Sequence, residues 1–83
     1  MADTENAINI PMQIGEVQVS VLLVEQPAGG PVRVSLRSKG EVDVAKFAER
    51  FGGGGHARAA GLKVDAPLAE AEKRVVEALH ECF

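Results

Sequence analysis

FGGGGHARAAG, residues 51–61, is the stretch around which the rest of the chain is arranged. Four consecutive glycines, Gly52 to Gly55, bring no side chain to a core and lose the most conformational freedom on folding. They offer positive φ and close approach to bare backbone, and successive N–H groups in such a run can converge into a concave seat for an anion. His56 follows directly, then Arg58, the small pair Ala59–Ala60 and Gly61. A flexible linker would be Gly/Ser-rich and longer, whereas this run is wedged between two strongly patterned segments. It reads as an irregular loop that a ligand approaches, with Ala57 to Ala60 forming a single helical turn after it.

Working outward, Val44, Phe47, Ala48 and Phe51 fall at i, i+3, i+4 and i+7, one face of a helix over 44–51. Asp43 suits its N-cap, Arg50 its last turn, and Gly52 its C-terminal stop. Upstream, VRVSLR (residues 32–37) alternates, with Val32, Val34 and Leu36 on one face and Arg33, Ser35 and Arg37 on the other. VQVSVLLV (17–24) is a second strand, continuously apolar at its end as if covered on both faces there. Between them QPAGGP (26–31) is a turn, which makes the two strands an antiparallel hairpin. Ser38 to Glu41 reads as a loop.

Downstream of the glycines, GLKV (61–64) is a short strand, and a second helix runs from Pro67 to Cys82. Leu68, Ala71, Val75, Leu79 and Cys82 form its apolar stripe, with Glu70 and Arg74 as an i,i+4 pair. At the other end, Ile8, Ile10, Met12 and Ile14 alternate like a strand that Pro11 restricts to an edge. A short helix opened by Thr4 and closed by Pro11 is equally compatible. The expected fold is α+β: a small mixed β-sheet with helices packed on it in two or three layers.

A chain of 83 residues holds one domain at most, and its single cysteine, Cys82, excludes an internal disulfide. No signal peptide is visible and no apolar run approaches the roughly 18 residues of a membrane span, so a cytoplasmic protein is expected. The net charge of −3 argues at first against an anionic partner. Its distribution reverses that. Residues 33–63 hold seven cations against three acids, about +4, while the remainder holds two cations against nine acids, about −7.

Arg37 offers a planar fork for phosphate oxygens and Ser35 a hydroxyl beside it. A merely solvated strand face is the plain alternative. His56 lacks company as a metal ligand, since His80 is the other histidine and the His80–Cys82 pair is no zinc site. No serine or cysteine stands beside His56 for nucleophilic catalysis. A hydrogen-bond donor to an anion and a structural histidine remain open. No lysine follows the glycines as a P-loop requires, and Gly52, Gly54 and Ala57 match a dinucleotide fingerprint only by accident, because a helix precedes them.

PVRVSLRSKGEVDVAKFAERFGGGGHARAAG, residues 31–61, closely resembles the C-terminal domain of DHH-family phosphoesterases. The nearest branch is that of nanoRNases, oligoribonucleases and pAp phosphatases within the RecJ-like superfamily. The family pattern V-x-v-S-L-R-S, v-D-v-x-x-i-A and f-G-G-G-G-H-x-x-A-A-G is present throughout, with Phe47 in an aliphatic position. The likeness covers Val17 to Val64 well.

The resemblance implies a two-domain, metal-dependent enzyme. Its N-terminal domain would hold manganese through an Asp-His-His motif and other ligands, none of which occurs in this chain. The C-terminal domain would close over short single-stranded RNA, DNA or nucleotide phosphates. The implied substrate-binding residues are Gly53, Gly54, Gly55, His56, Arg37 and Ser35, with no catalytic residue and no metal ligand. Residues 1–14 would be a linker or edge segment from the preceding domain and residues 15–83 the substrate-binding domain, inactive alone. The tail domain of alanyl-tRNA synthetases, a tRNA-binding module, is similar to a lesser degree at both motifs.

Overall fold

The computed structural model describes residues 6–14, 16–26, 30–39 and 42–82. Along them run β1 (Ala7–Ile14), β2 (Val17–Val24), β3 (Val32–Lys39), α1 (Val44–Glu49), β4 (Gly54–His56), β5 (Ala59–Val64) and α2 (Leu68–Cys82). The strands form one sheet in the order β1-β2-β3-β5-β4, antiparallel throughout. The fold is α+β, as the patterning required, but the sheet is not mixed. The crossover through α1 lays β4 parallel to β3, and β5 then fills the gap between them antiparallel to both.

From Ala7 onward the N-terminal segment is strand, and the helical alternative opened at a residue outside those described. Ala7 pairs with Val24 and the register runs on to Ile14 opposite Val17. Pro11 lacks an N–H, and the edge position of β1 is what tolerates it. The β2–β3 hairpin pairs Val24 with Arg33 and Gln18 with Lys39. β3 thus extends two residues past Arg37, through Ser38 and Lys39, where the sequence predicts a loop. The tip of the turn over 26–31 lies largely outside the described residues.

Alternation divides the sheet into two faces. Val19, Val21, Leu23, Val32, Val34, Leu36, Leu62 and Val64 point to one side and are buried against Val44, Phe47 and Ala48 of α1 and Ala71, Val75 and Leu79 of α2. Both helices pack on that side, α1 over β4 and β5 and α2 over β2, giving two layers. The apolar run in β2 does not mean double coverage: Leu23 is fully buried, whereas Leu22 faces the open side and is 39% exposed.

Local chemistry sets the helix limits. Asp43 caps α1, its Oδ1 accepting from the N–H of Ala45 at 2.9 Å and of Lys46 at 3.2 Å. At the far end, Gly52 takes φ +82°, its N–H donating to Glu49 O at 3.1 Å and that of Gly53 to Ala48 O at 2.9 Å. These two bonds are the Schellman arrangement, which needs a left-handed residue where glycine stands. The Arg50 guanidinium reaches Cys82 Sγ, tying the last turn of α1 to the end of α2. On α2, Glu70 and Arg74 form the expected exposed ion pair.

Candidate functional site

The glycine run is not one irregular loop. Gly52 and Gly53 close the helix, while Gly54 and Gly55 enter β4 with His56. Ala57 and Arg58 are a two-residue turn, and Ala59–Ala60 begin β5 instead of forming a helical turn. Alanine's helix preference is overridden by pairing on both sides, to β3 and to β4.

The hairpin is pinned at its tip. Ser38 N–H donates to Arg58 O at 3.1 Å and Val44 N–H to Ala57 O at 2.9 Å. Ser38 Oγ lies 3.0 Å from Val42 O and 3.4 Å from Ala57 O. Ser38 therefore positions the turn that follows His56. Sequence reasoning missed this role, although the second serine of S-L-R-S was the available signal.

The ladder decides where the glycine N–H groups point. The Ser38–Arg58 bond makes Leu36 and Ala60 a hydrogen-bonded pair, so Ala59 and Gly61 turn their backbone groups toward β4. On β4, His56 and Gly54 then bond inward and Gly55 points outward from the sheet edge. With the Gly53 N–H committed to Ala48, three N–H groups do not converge as a nest. One outward donor, at Gly55, remains.

Each glycine of the run has its own reason. A Cβ at Gly53 would lie 2.2 Å from Gly61 O, and one at Gly55, where φ is +146°, would lie 2.6 Å from Ala60 Cα. A Cβ at Gly54 would meet nothing within 4 Å, and one at Gly61 only Val34 O at 3.4 Å. The fold demands glycine at 53 and 55. It does not demand it at 54 and 61.

Those two glycines lie side by side on the open face, in the row Leu22–Ser35–Gly61–Gly54. The next row reads Ser20–Arg37–Ala59–His56. Only the small Ala59 stands between Arg37 and His56, so no bulky side chain separates the two. Ser35, Arg37, Gly54, Gly55, Ala59 and Gly61 surround one shallow depression there. The structure thus brings Ser35, Arg37, Gly54 and Gly55 together, sets His56 at the next position of the same face, and places Gly53 beneath them against β5.

Electrostatics follow the layers. No Asp or Glu occurs in any of the five strands. Arg33, Arg37, Lys39 and Lys63 all project from the open face, exposed to solvent, as does His56. Among the described residues no three His, Cys, Asp or Glu side chains stand close enough to hold a metal ion. A face of cations does not fit manganese; it fits an anion. No helix among the described residues is long and apolar enough to cross a membrane.

The chain is 39% identical over 66 residues to the cyclic-di-AMP phosphodiesterase GdpP of Geobacillus thermodenitrificans, a match covering 78% of this chain and 10% of that protein. It is 36% identical over 80 residues to the bifunctional oligoribonuclease and PAP phosphatase NrnA of Thermus thermophilus, covering 95% of this chain and 24% of that protein. The chain therefore spans a tenth to a quarter of the length of these relatives, both DHH-family phosphoesterases. The DHHA1 domain family matches residues 1–83, the whole of the sequence. With that match laid over the glycine hairpin and the cationic sheet face, the chain belongs to the DHHA1 domain family.

Proposed function

We propose that this domain is the nucleotide-binding part of a metal-dependent DHH-family phosphoesterase, holding a phosphate of a short oligonucleotide or nucleotide phosphate. The observation that carries the proposal is the pair of rows on a face whose strands carry no carboxylate, Arg37–Ala59–His56 beside Ser35–Gly61–Gly54. Arg37 supplies the fork, His56 a ring N–H, Ser35 a hydroxyl and Gly55 an outward backbone N–H. Gly54 and Gly61 keep the floor clear of side chains. The two relatives named above act on cyclic-di-AMP, oligoribonucleotides and PAP, all nucleotides carrying phosphate.

Hydrolysis belongs in this proposal to a separate domain of a longer cytoplasmic protein, where manganese would generate and orient the nucleophile. The present residues bind and orient. Titration of a 5′-phosphorylated dinucleotide into the chain and its His56→Ala and Arg37→Lys variants tests the proposal. His56→Ala should weaken binding by about 1.5–3 kcal/mol, the range for a hydrogen bond involving charge. Arg37→Lys should also weaken it, because a point charge cannot reproduce the fork. Equal affinity of all three proteins would refute the assignment. Preference for folded tRNA over the dinucleotide would point instead to a tRNA-binding role.

A further inference from the structure

Arg33 and Lys63 stand directly opposite each other on β3 and β5. The alternation set by the Ser38–Arg58 bond makes theirs a non-hydrogen-bonded pair, the closer of the two kinds, in which side chains approach most. Like charges placed so repel and weaken the ladder. Both side chains are exposed, neither makes a salt bridge among the described residues, and no strand offers a carboxylate to separate them. A face kept merely for solubility mixes both signs. This one does not.

Beside the pair lies a depression of about 390 Å³, bordered by Arg33, Ser35, Phe51, Gly52, Gly61 and Lys63. It has a cationic rim, a floor that includes glycine backbone and one aromatic wall. Phe51 is half-buried, its ring 5.3 Å from that of Phe47, which backs it from the core. Ser35 and Gly61 border this depression and also the one beside Arg37 and Gly54, so the two adjoin. Arg33 and Arg37 are four residues apart on one strand, roughly 13 Å at about 3.3 Å per residue.

We infer that Arg33 and Lys63, with Phe51 beside them, form a second nucleotide subsite, taking a further phosphate and its base from a ligand already held at Arg37 and His56. The inference rests on the proposed function and deepens it: the preferred ligand carries two or more phosphates along a chain. The phosphate neutralises the opposed cations, and the base lies against Phe51 and the bare backbone of Gly52 and Gly61. A mononucleotide fills the first subsite alone.

The test compares adenosine 5′-monophosphate with a 5′-phosphorylated tri-adenylate ribonucleotide, titrated into the full chain and into R33Q/K63Q. The double variant should bind the trinucleotide about tenfold more weakly, as expected for a lost charged hydrogen bond, with a shallower salt dependence. Its affinity for the mononucleotide should stay within twofold. Lys63→Glu, which converts the repulsion into an ion pair, should raise the melting temperature while weakening the trinucleotide in the same way. An unchanged trinucleotide affinity would overturn the second subsite and leave the first standing. Equal loss for both probes would also overturn it, since that is the signature of a diffuse field. If wild type binds neither probe, the proposed function falls and takes the subsite with it.

Discussion

Replacing Gly53 by alanine should unfold this domain far more readily than replacing its neighbour Gly54. The new Cβ at 53 falls 2.2 Å from Gly61 O and 2.8 Å from the Cα and Cβ of Leu62. A tolerable carbon–oxygen contact is about 3.3 Å or more, so roughly 1 Å must be found. β5 cannot recede, because β3 holds its other edge. Gly53 must move instead, stretching the 2.9 Å bond from its N–H to Ala48 O that closes α1. A lost hydrogen bond of about 1 kcal/mol and overpacking of about 1–3 kcal/mol give roughly 2–4 kcal/mol. At about 4–8 °C per kcal/mol for a domain this small, the melting temperature should fall by at least about 8 °C. At Gly54 the added Cβ meets open space, so Gly54→Ala should be neutral or stabilising by up to about 1 kcal/mol through the unfolded chain. It should nevertheless weaken nucleotide binding, because the methyl group rises from the floor of the proposed site. Thermal or urea unfolding of both variants decides the matter. Equal melting of Gly53→Ala and wild type, or equal damage from both substitutions, would refute the division of the run into packing and ligand-facing glycines.

One further outcome is expected. Asp43→Ala removes the cap of α1 and should cost about 0.5–2 kcal/mol; because Val44 N–H also holds Ala57 O, amide exchange should quicken at the β4–β5 turn as well.

The parts legible in the sequence were those where one face of an element is apolar. The alternation of residues 32–37 placed Ser35 and Arg37 together on the open face, and the 3.6-residue spacing of Val44, Phe47, Ala48 and Phe51 located α1. β4 was not legible, because Gly54, Gly55 and His56 have no strand preference of their own. They pair because β5 presents a free edge once β3 occupies the other. Ala59 and Ala60 misled for a related reason: Ala59 is small where it keeps the floor between Arg37 and His56 low and Ala60 where it packs in the core, and size says nothing about backbone conformation. The cations at 33 and 63 belong, in the sequence, to a general positive field, and only the insertion of β5 beside β3 makes them opposite neighbours.

That insertion also explains how a chain of net charge −3 can present a cationic sheet face. α2 carries Glu70, Glu72, Glu77 and Glu81 against Lys73 and Arg74, and it lies on the core side of the sheet. The strand cations all project from the opposite side, with the buried apolar layer between the two populations. Charges across that low-dielectric layer do not meet as pairs, so the acids lend solubility without neutralising the face. Had β5 joined the sheet beyond β1, Lys63 would sit far from Arg33, and Gly61 far from Ser35. The proposed anion site is thus a product of strand order. The glycines permit it, and the antiparallel placement of β5 between β3 and β4 assembles it.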